Sequence, residues 1–212
     1  MHIPDGMLPL PVTLGGYIAA AAVTAYCVHK IKQRGDPREQ IPKASLLAAA
    51  FFTVSLIHIP IPPTSVHLIM AGLLGVVLGY FAFPAIMVAL FFQAVMFGHG
   101  GLTTLGINGI VIGLPALLAA ALFRLRPLPA PSTAQTAFWG LAAGAGATLA
   151  TVLLFTLFLY TSIPSHLDAT AERAAIVTLA LAHIPVVVIE GIVTALVAVF
   201  LQKNKPQLLQ GL

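Results

Sequence analysis

Residues 105–123, LGINGIVIGLPALLAAALF, carry no Asp, Glu, Lys or Arg, and Arg124 follows directly. About 20 apolar residues in succession are what an α-helix needs to cross the hydrocarbon of a bilayer. This stretch therefore reads as a membrane-spanning helix, and the same signature recurs on both sides of it. Val12–Ile31, Ala44–Ile59, His67–Phe83, Pro84–Phe97, Ala134–Tyr160 and Ala174–Leu201 are the other runs. Together they predict an all-α membrane helix bundle of seven transmembrane helices. The last should kink at Pro185, which cannot donate to a helical hydrogen bond.

The composition agrees. The chain has 212 residues, 59% of them hydrophobic and 8% charged, with a mean hydropathy of +1.01. A soluble domain is roughly 25% charged. One integral membrane domain over residues 1–212 is expected. The single Cys27 excludes a disulfide framework, and no Gly-rich Lys-Ser or Lys-Thr loop is present to bind ATP. The positive charges sit between the spans: Lys30, Lys32, Arg34, Arg38 and Lys43 in one loop, Arg124 and Arg126 in another, Lys203 and Lys205 at the end. Cytoplasmic loops concentrate Lys and Arg, which places the N-terminus outside and the C-terminus in the cytoplasm. A cleaved signal peptide needs a basic start; none precedes Lys30, and Pro4, Pro9 and Pro11 interrupt the beginning.

The chain opens Met1-His2-Ile3-Pro4-Asp5-Gly6-Met7. A terminal amine, the backbone nitrogen of His2 and its imidazole Nδ1 can hold one ion in two fused chelate rings. Such a planar nitrogen set suits Ni(II) or Cu(II). Pro4 and Asp5-Gly6 are turn formers, so the terminus is expected to fold back in a fixed shape. The plane lacks one corner. His67 opens the third span on the same, outer side and can fill it, although a lone His at a helix start also serves as a surface or capping residue, with Thr64 or Ser65 as the N-cap. Gln93, His99 and Asn108 flank the other outer loop and are candidates to fix the ligand imidazoles by hydrogen bonds, as is Ser65; equally, they satisfy loop backbone. Glu190 is the acidic residue deep within a span, where an ionisable group defaults to a functional role; it braces either the metal pocket or a partner interface, or makes a structural hydrogen bond, with His183 on the same face.

The segments MHIPDGM (1–7), IPPTSVHL (61–68), FGHGGLTTLGING (97–109) and HIPVVVIEGIVTA (183–195) resemble the substrate-capture (S) component of nickel/cobalt energy-coupling-factor transporters, the NikM/CbiM family. The resemblance runs over nearly the whole chain. It implies a helical bundle whose extra first helix delivers the N-terminus into it, and metal held by the Met1 amine, the His2 amide and imidazole, and His67. It implies a transmembrane coupling subunit, two cytoplasmic ATPases and a small accessory membrane subunit as partners, in the cytoplasmic membrane of a prokaryote. Ala44-x-x-x-Ala48 resembles the small-residue motif against which the coupling subunit packs. Ni(II) is the expected substrate, with Co(II) the alternative, and no catalysis is expected of this chain. A stand-alone secondary transporter would want inverted repeats and several intramembrane carboxylates. An intramembrane metalloenzyme would want an open metal position, with no HExxH present to supply it.

Overall fold

The computed structural model describes residues 2–61, 64–127, 131–164 and 167–209, and over these the chain is a helical bundle carrying one small hairpin. In order, the elements are α1 (Leu10–Lys32), α2 (Ile41–Val54), β1 (Ile59–Ile61), β2 (Thr64–Val66), α3 (Ala71–Leu78), α4 (Ala82–Phe97), α5 (Leu105–Arg124), α6 (Thr133–Thr161), α7 (Ala169–Ala182) and α8 (Ile184–Asn204). Five helical runs are long and apolar enough to cross a membrane: α1, the α3–α4 run Ala71–Phe97, α5, α6 and the α7–α8 run Ala169–Asn204. α2 is apolar but only 14 residues long, about 21 Å. Ile18, Phe138, Leu153, Leu196 and Phe200 are among the large apolar side chains left exposed. Such a surface is stable against lipid and costly against water.

The expectation of seven separate spans meets the structure differently at three junctions. First, the break expected at Phe83-Pro84 lies earlier, in a 3₁₀ turn over Gly79–Phe81. Gly79 takes φ 56° and ψ −123°, which a β-carbon opposes. Pro84 instead falls in the first turn of α4, where its missing N–H leaves no helical bond unmade. The run is folded back on itself: a straight 27-residue helix is about 40 Å long, yet the rings of His67, before α3, and His99, after α4, have centroids 5.4 Å apart.

Second, the helix expected to reach Ile59 stops at Val54. Ile59–Ile61 and Thr64–Val66 pair antiparallel, with Ile59 opposite Val66 and Ile61 opposite Thr64. The β-branched Ile59, Ile61, Thr64 and Val66 suit extended backbone, and Pro60 excludes a helix. The all-α class holds with this one short strand pair added, and Thr64 and Ser65 belong to a strand rather than to a helix cap. Third, the kink expected at Pro185 is a break at His183, whose Nδ1–H donates to the Leu179 carbonyl (2.7 Å); Pro185 then opens α8 at a position where a donor is not needed.

Small residues let the helices close on one another. A β-carbon on Gly72 of α3 would lie 2.5 Å from the Cα of Gly144 in α6, and one on Gly75 would lie 2.0 Å from the Ala116 carbonyl oxygen of α5. Every residue of α3 is buried, so the short helix that follows His67 is the axle of the bundle. α1 docks by the same device: a β-carbon on Gly106 would lie 2.5 Å from the Tyr17 nitrogen. The basic loops gather at the end remote from His67. The guanidinium groups of Arg34 and Arg124 lie 4.7 and 5.0 Å from the ring of Tyr80, at the α3–α4 reversal.

Candidate metal centre

The residues after His2 are bolted into a socket made by the loop between α4 and α5. Asn108 grips Ile3 at both backbone groups, accepting from its N–H at Oδ1 (2.8 Å) and donating from Nδ2 to its carbonyl (3.0 Å). The Thr104 hydroxyl donates to the same carbonyl (2.6 Å), and the Ile3 side chain is fully buried. The Asp5 carboxylate accepts from the Thr103 hydroxyl (2.6 Å), the Thr103 amide (2.8 Å) and the Leu102 amide (3.2 Å). The Thr103 hydroxyl above all holds the Asp5 carboxyl below its usual range. Gly100 and Gly101 make the fit possible. A β-carbon on Gly101 would lie 2.1 Å from Asp5 Oδ1 and 2.7 Å from the Asp5 nitrogen, and Gly100 has φ +84°. The expected turn is present at Asp5-Gly6, where Gly6 takes φ 84°.

This socket delivers the His2 imidazole onto two others. Its centroid is 4.1 Å from that of His99 and 5.3 Å from that of His67. One ligand-capable atom from each of His2, His67 and His99 falls within 4.8 Å of the others. Both ring nitrogens of His2 and Nε2 of His99 are buried and make no hydrogen bond of ordinary geometry among the described residues. Burial holds all three groups toward the neutral form that a metal requires. Burial above all takes His2 well below the ordinary value, and the neighbouring imidazoles act in the same direction. Burial likewise takes His67 down to about 2 and His99 to about 4. His67 Nδ1 lies 2.9 Å from the Leu68 carbonyl oxygen. A carbonyl only accepts, so Nδ1 carries the proton and Nε2 the lone pair.

The other residues singled out from sequence take these places. Met1 lies outside the described residues. Ser65 pairs through its backbone with Pro60, and its side chain lies outside the described ones. Asn108, expected to hold an imidazole, holds the Ile3 backbone instead. Gln93 is fully buried; it donates to the Ser55 hydroxyl and to the Phe52 carbonyl (3.4 Å), and its carboxamide lies beside His2. His99 is closer than a supporting role required, standing in the trio itself. Glu190 makes structural hydrogen bonds: from α8 its Oε1 accepts from the amides of Ile69 (2.5 Å) and Met70 (2.7 Å), two and three residues after His67. Those amides precede the first residue of α3, so Glu190 fixes the turn between His67 and the helix, and neither it nor Thr64 or Ser65 caps the helix itself. Met70 has φ 54°, the non-glycine residue in the left-handed region, so this turn is held against its own preference. Ala44 is buried within the bundle and Ala48 lines an outer groove with Phe52, Val88 and Phe92. His58 was missed. It stands 5.5 Å from His67 and 5.4 Å from His99, and the signal for it was a histidine at each end of IPIPPTSV.

A sequence profile described as cobalt uptake substrate-specific transmembrane region, CbiM, matches residues 2–208. A putative metal transport protein of Haemophilus influenzae is 34% identical, with 99% of this chain and 97% of that one covered. A putative cobalt transport protein, CbiM 1, of Methanocorpusculum labreanum is 33% identical over 100% of this chain and 93% of its own. The fused nickel transport protein NikMN of Rhodobacter capsulatus is 34% identical over 99% of this chain, which spans 64% of that longer protein. A crystal structure of a truncated transition metal transporter superposes with a TM-score of 0.70 at 27% identity, covering 96% of this chain and 99% of that one. These proteins are named for transport rather than for a reaction. The chain, with several apolar helices long enough to cross a membrane, is a multi-pass membrane protein and belongs to the CbiM family, the cobalt-uptake substrate-specific transmembrane region.

Proposed function

We propose that this chain is the substrate-capture subunit of an ATP-driven importer of Ni(II), with Co(II) as the alternative substrate, in the cytoplasmic membrane of a prokaryote. The observation that carries the reading is the trio His2, His67 and His99, gathered within ligand reach at the end of the bundle remote from the basic loops. In this scheme the Met1 amine, the His2 backbone nitrogen and His2 Nδ1 form three corners of a plane, and His67 Nε2 forms the fourth. His99 flanks the plane. Square-planar nitrogen fields suit Ni(II), and the family relatives are named for both nickel and cobalt.

The orientation rests on the distribution of charge, and the partners on the family resemblance. The end bearing Arg34 and Arg124 faces the cytoplasm and the histidine end faces outward. The α3–α4 run contributes two legs, which with α1, α2, α5, α6 and α7–α8 makes seven passes. A membrane coupling subunit, two ATPases and a small accessory membrane subunit complete the importer. The coupling subunit packs on α2 at Ala48, beside the inward-facing Ala44. The test is calorimetric titration of Ni(II) into the purified chain and into His67→Ala. Removing one ligand should weaken binding by more than the roughly tenfold typical of outer-shell changes, while helicity is kept. Equal affinity in the variant would refute His67 as a ligand.

A further inference from the structure

The hairpin gives His58 a place that no ligand set discussed so far uses. Ile59 is opposite Val66 in the antiparallel pair, so the next positions outward, His58 and His67, also face one another. Directly opposed residues have side chains about 5 Å apart at Cβ, and the two imidazole centroids are indeed 5.5 Å apart. The partners differ in exposure: His67 is 4% exposed, whereas His58 is on the surface. Nδ1 of His58 lies 2.9 Å from the Leu56 carbonyl oxygen. It therefore carries the proton, which leaves Nε2 as the lone-pair nitrogen. His58 also stands edge-on to His99 at 5.4 Å, and His99 stands 4.1 Å from His2. His58 thus sits on the surface beside both His67 and His99, and His99 in turn stands against His2.

We propose that His58 and His99 form a transient receiving site at the mouth of the pocket, which takes a hydrated divalent transition-metal cation and passes it to the buried ligands. The proposal rests on the metal-binding function proposed above. Imidazole suits such ions as a ligand, and an exposed imidazole exchanges with water on the ion without reorganising the fold. Two bound waters are displaced as the imidazole nitrogens bind, and the remaining waters leave as the ion moves inward. The inner ligands alone would have to strip the ion where both ring nitrogens of His2 are buried, whereas His58 stands on the surface. A receiving pair divides that step in two, and it changes the rate of capture without being part of the final site.

The experiment uses nickel chloride and the full chain in detergent. Association is followed by stopped flow with a metallochromic indicator, and equilibrium affinity by calorimetry. The variants are His58→Ala and His58→Gln, the second of which keeps an N–H donor for Leu56. Both should bind about tenfold more slowly or worse, with Kd moved by less than about threefold, because rate and affinity separate when a group acts only on the approach. Unchanged Kd also shows that the pocket is intact. Association as fast as the wild type overturns the proposal. A slower rate with an equal loss of affinity overturns it too, since His58 would then be a ligand of the final site. If the wild-type chain binds no Ni(II) at all, the functional reading falls and takes this proposal with it; if the wild type binds and the variants match it, only this proposal falls.

Discussion

Glu190→Ala should cripple metal binding from a residue that never touches the metal. The Glu190 carboxylate, 2% exposed, receives the Ile69 and Met70 amides, two and three residues after His67. Truncation leaves both donors without a partner in the interior. Each orphaned buried donor costs about 1–3 kcal/mol, and the left-handed Met70 adds about 1–2 kcal/mol of strain that is no longer opposed. Part of that cost is relieved as the turn relaxes, so the native turn should be disfavoured by about 2–4 kcal/mol. At about 1.4 kcal/mol per decade, apparent Ni(II) affinity falls by about 30- to 1000-fold. Glu190→Gln keeps an acceptor oxygen but loses the charge, which roughly halves the strength of such bonds, and should cost about tenfold. Calorimetry on the wild type, both variants and the pair with His67→Ala reads the result. Because Glu190 acts through His67, the double variant should be little worse than His67→Ala alone. Full additivity, or an affinity for Glu190→Ala within about threefold of the wild type, would refute the argument.

Two further predictions follow from the same geometry. Gly101→Ala drives a β-carbon against the Asp5 nitrogen and carboxylate; it should lift the terminal segment from its socket and weaken Ni(II) binding by about tenfold or more, with the far-UV circular dichroism unchanged, and a normal affinity would show that the socket does not hold the site. In the metal-free chain, His67 and His99 titrate at about 2 and about 4 in the folded state against 6.5 when free. The unfolded chain then binds more protons between those values, so the stability the site contributes is full above about pH 6.5 and drains away as pH falls toward 4; a thermal midpoint flat from pH 7 to pH 4 would contradict this.

The sequence made the membrane class, the runs that became α1, α5 and α6, and the special position of His2 legible, because each rests on local pattern. The α3–α4 reversal was expected but placed too late, at Phe83-Pro84, because the 3₁₀ turn at Gly79–Phe81 carries no charge to mark a loop. Two things were hidden by distance. The partners of Glu190 lie 120 residues upstream, and nothing in either segment names the other. The socket for Ile3 and Asp5 is built of residues 100–108, where Thr103, Thr104 and Asn108 looked like ordinary loop polarity. His58 was hidden differently: its run of prolines and β-branched residues reads as a helix end until the strands pair.

The central claim is that the chain's own terminus is the chelator. The direct measurement is Ni(II) binding, by calorimetry and visible absorption, for the chain as it stands beside a chain with one alanine added ahead of Met1. Every side chain of His2, His58, His67 and His99 is kept in both, but the extension turns the terminal amine into a non-basic amide and pushes an extra residue into the pocket. The account predicts near-complete loss of binding and of the planar nickel absorption band in the extended chain. Equal affinity and an equal spectrum in both would show that the imidazoles alone hold the metal, and the terminal chelate would be wrong.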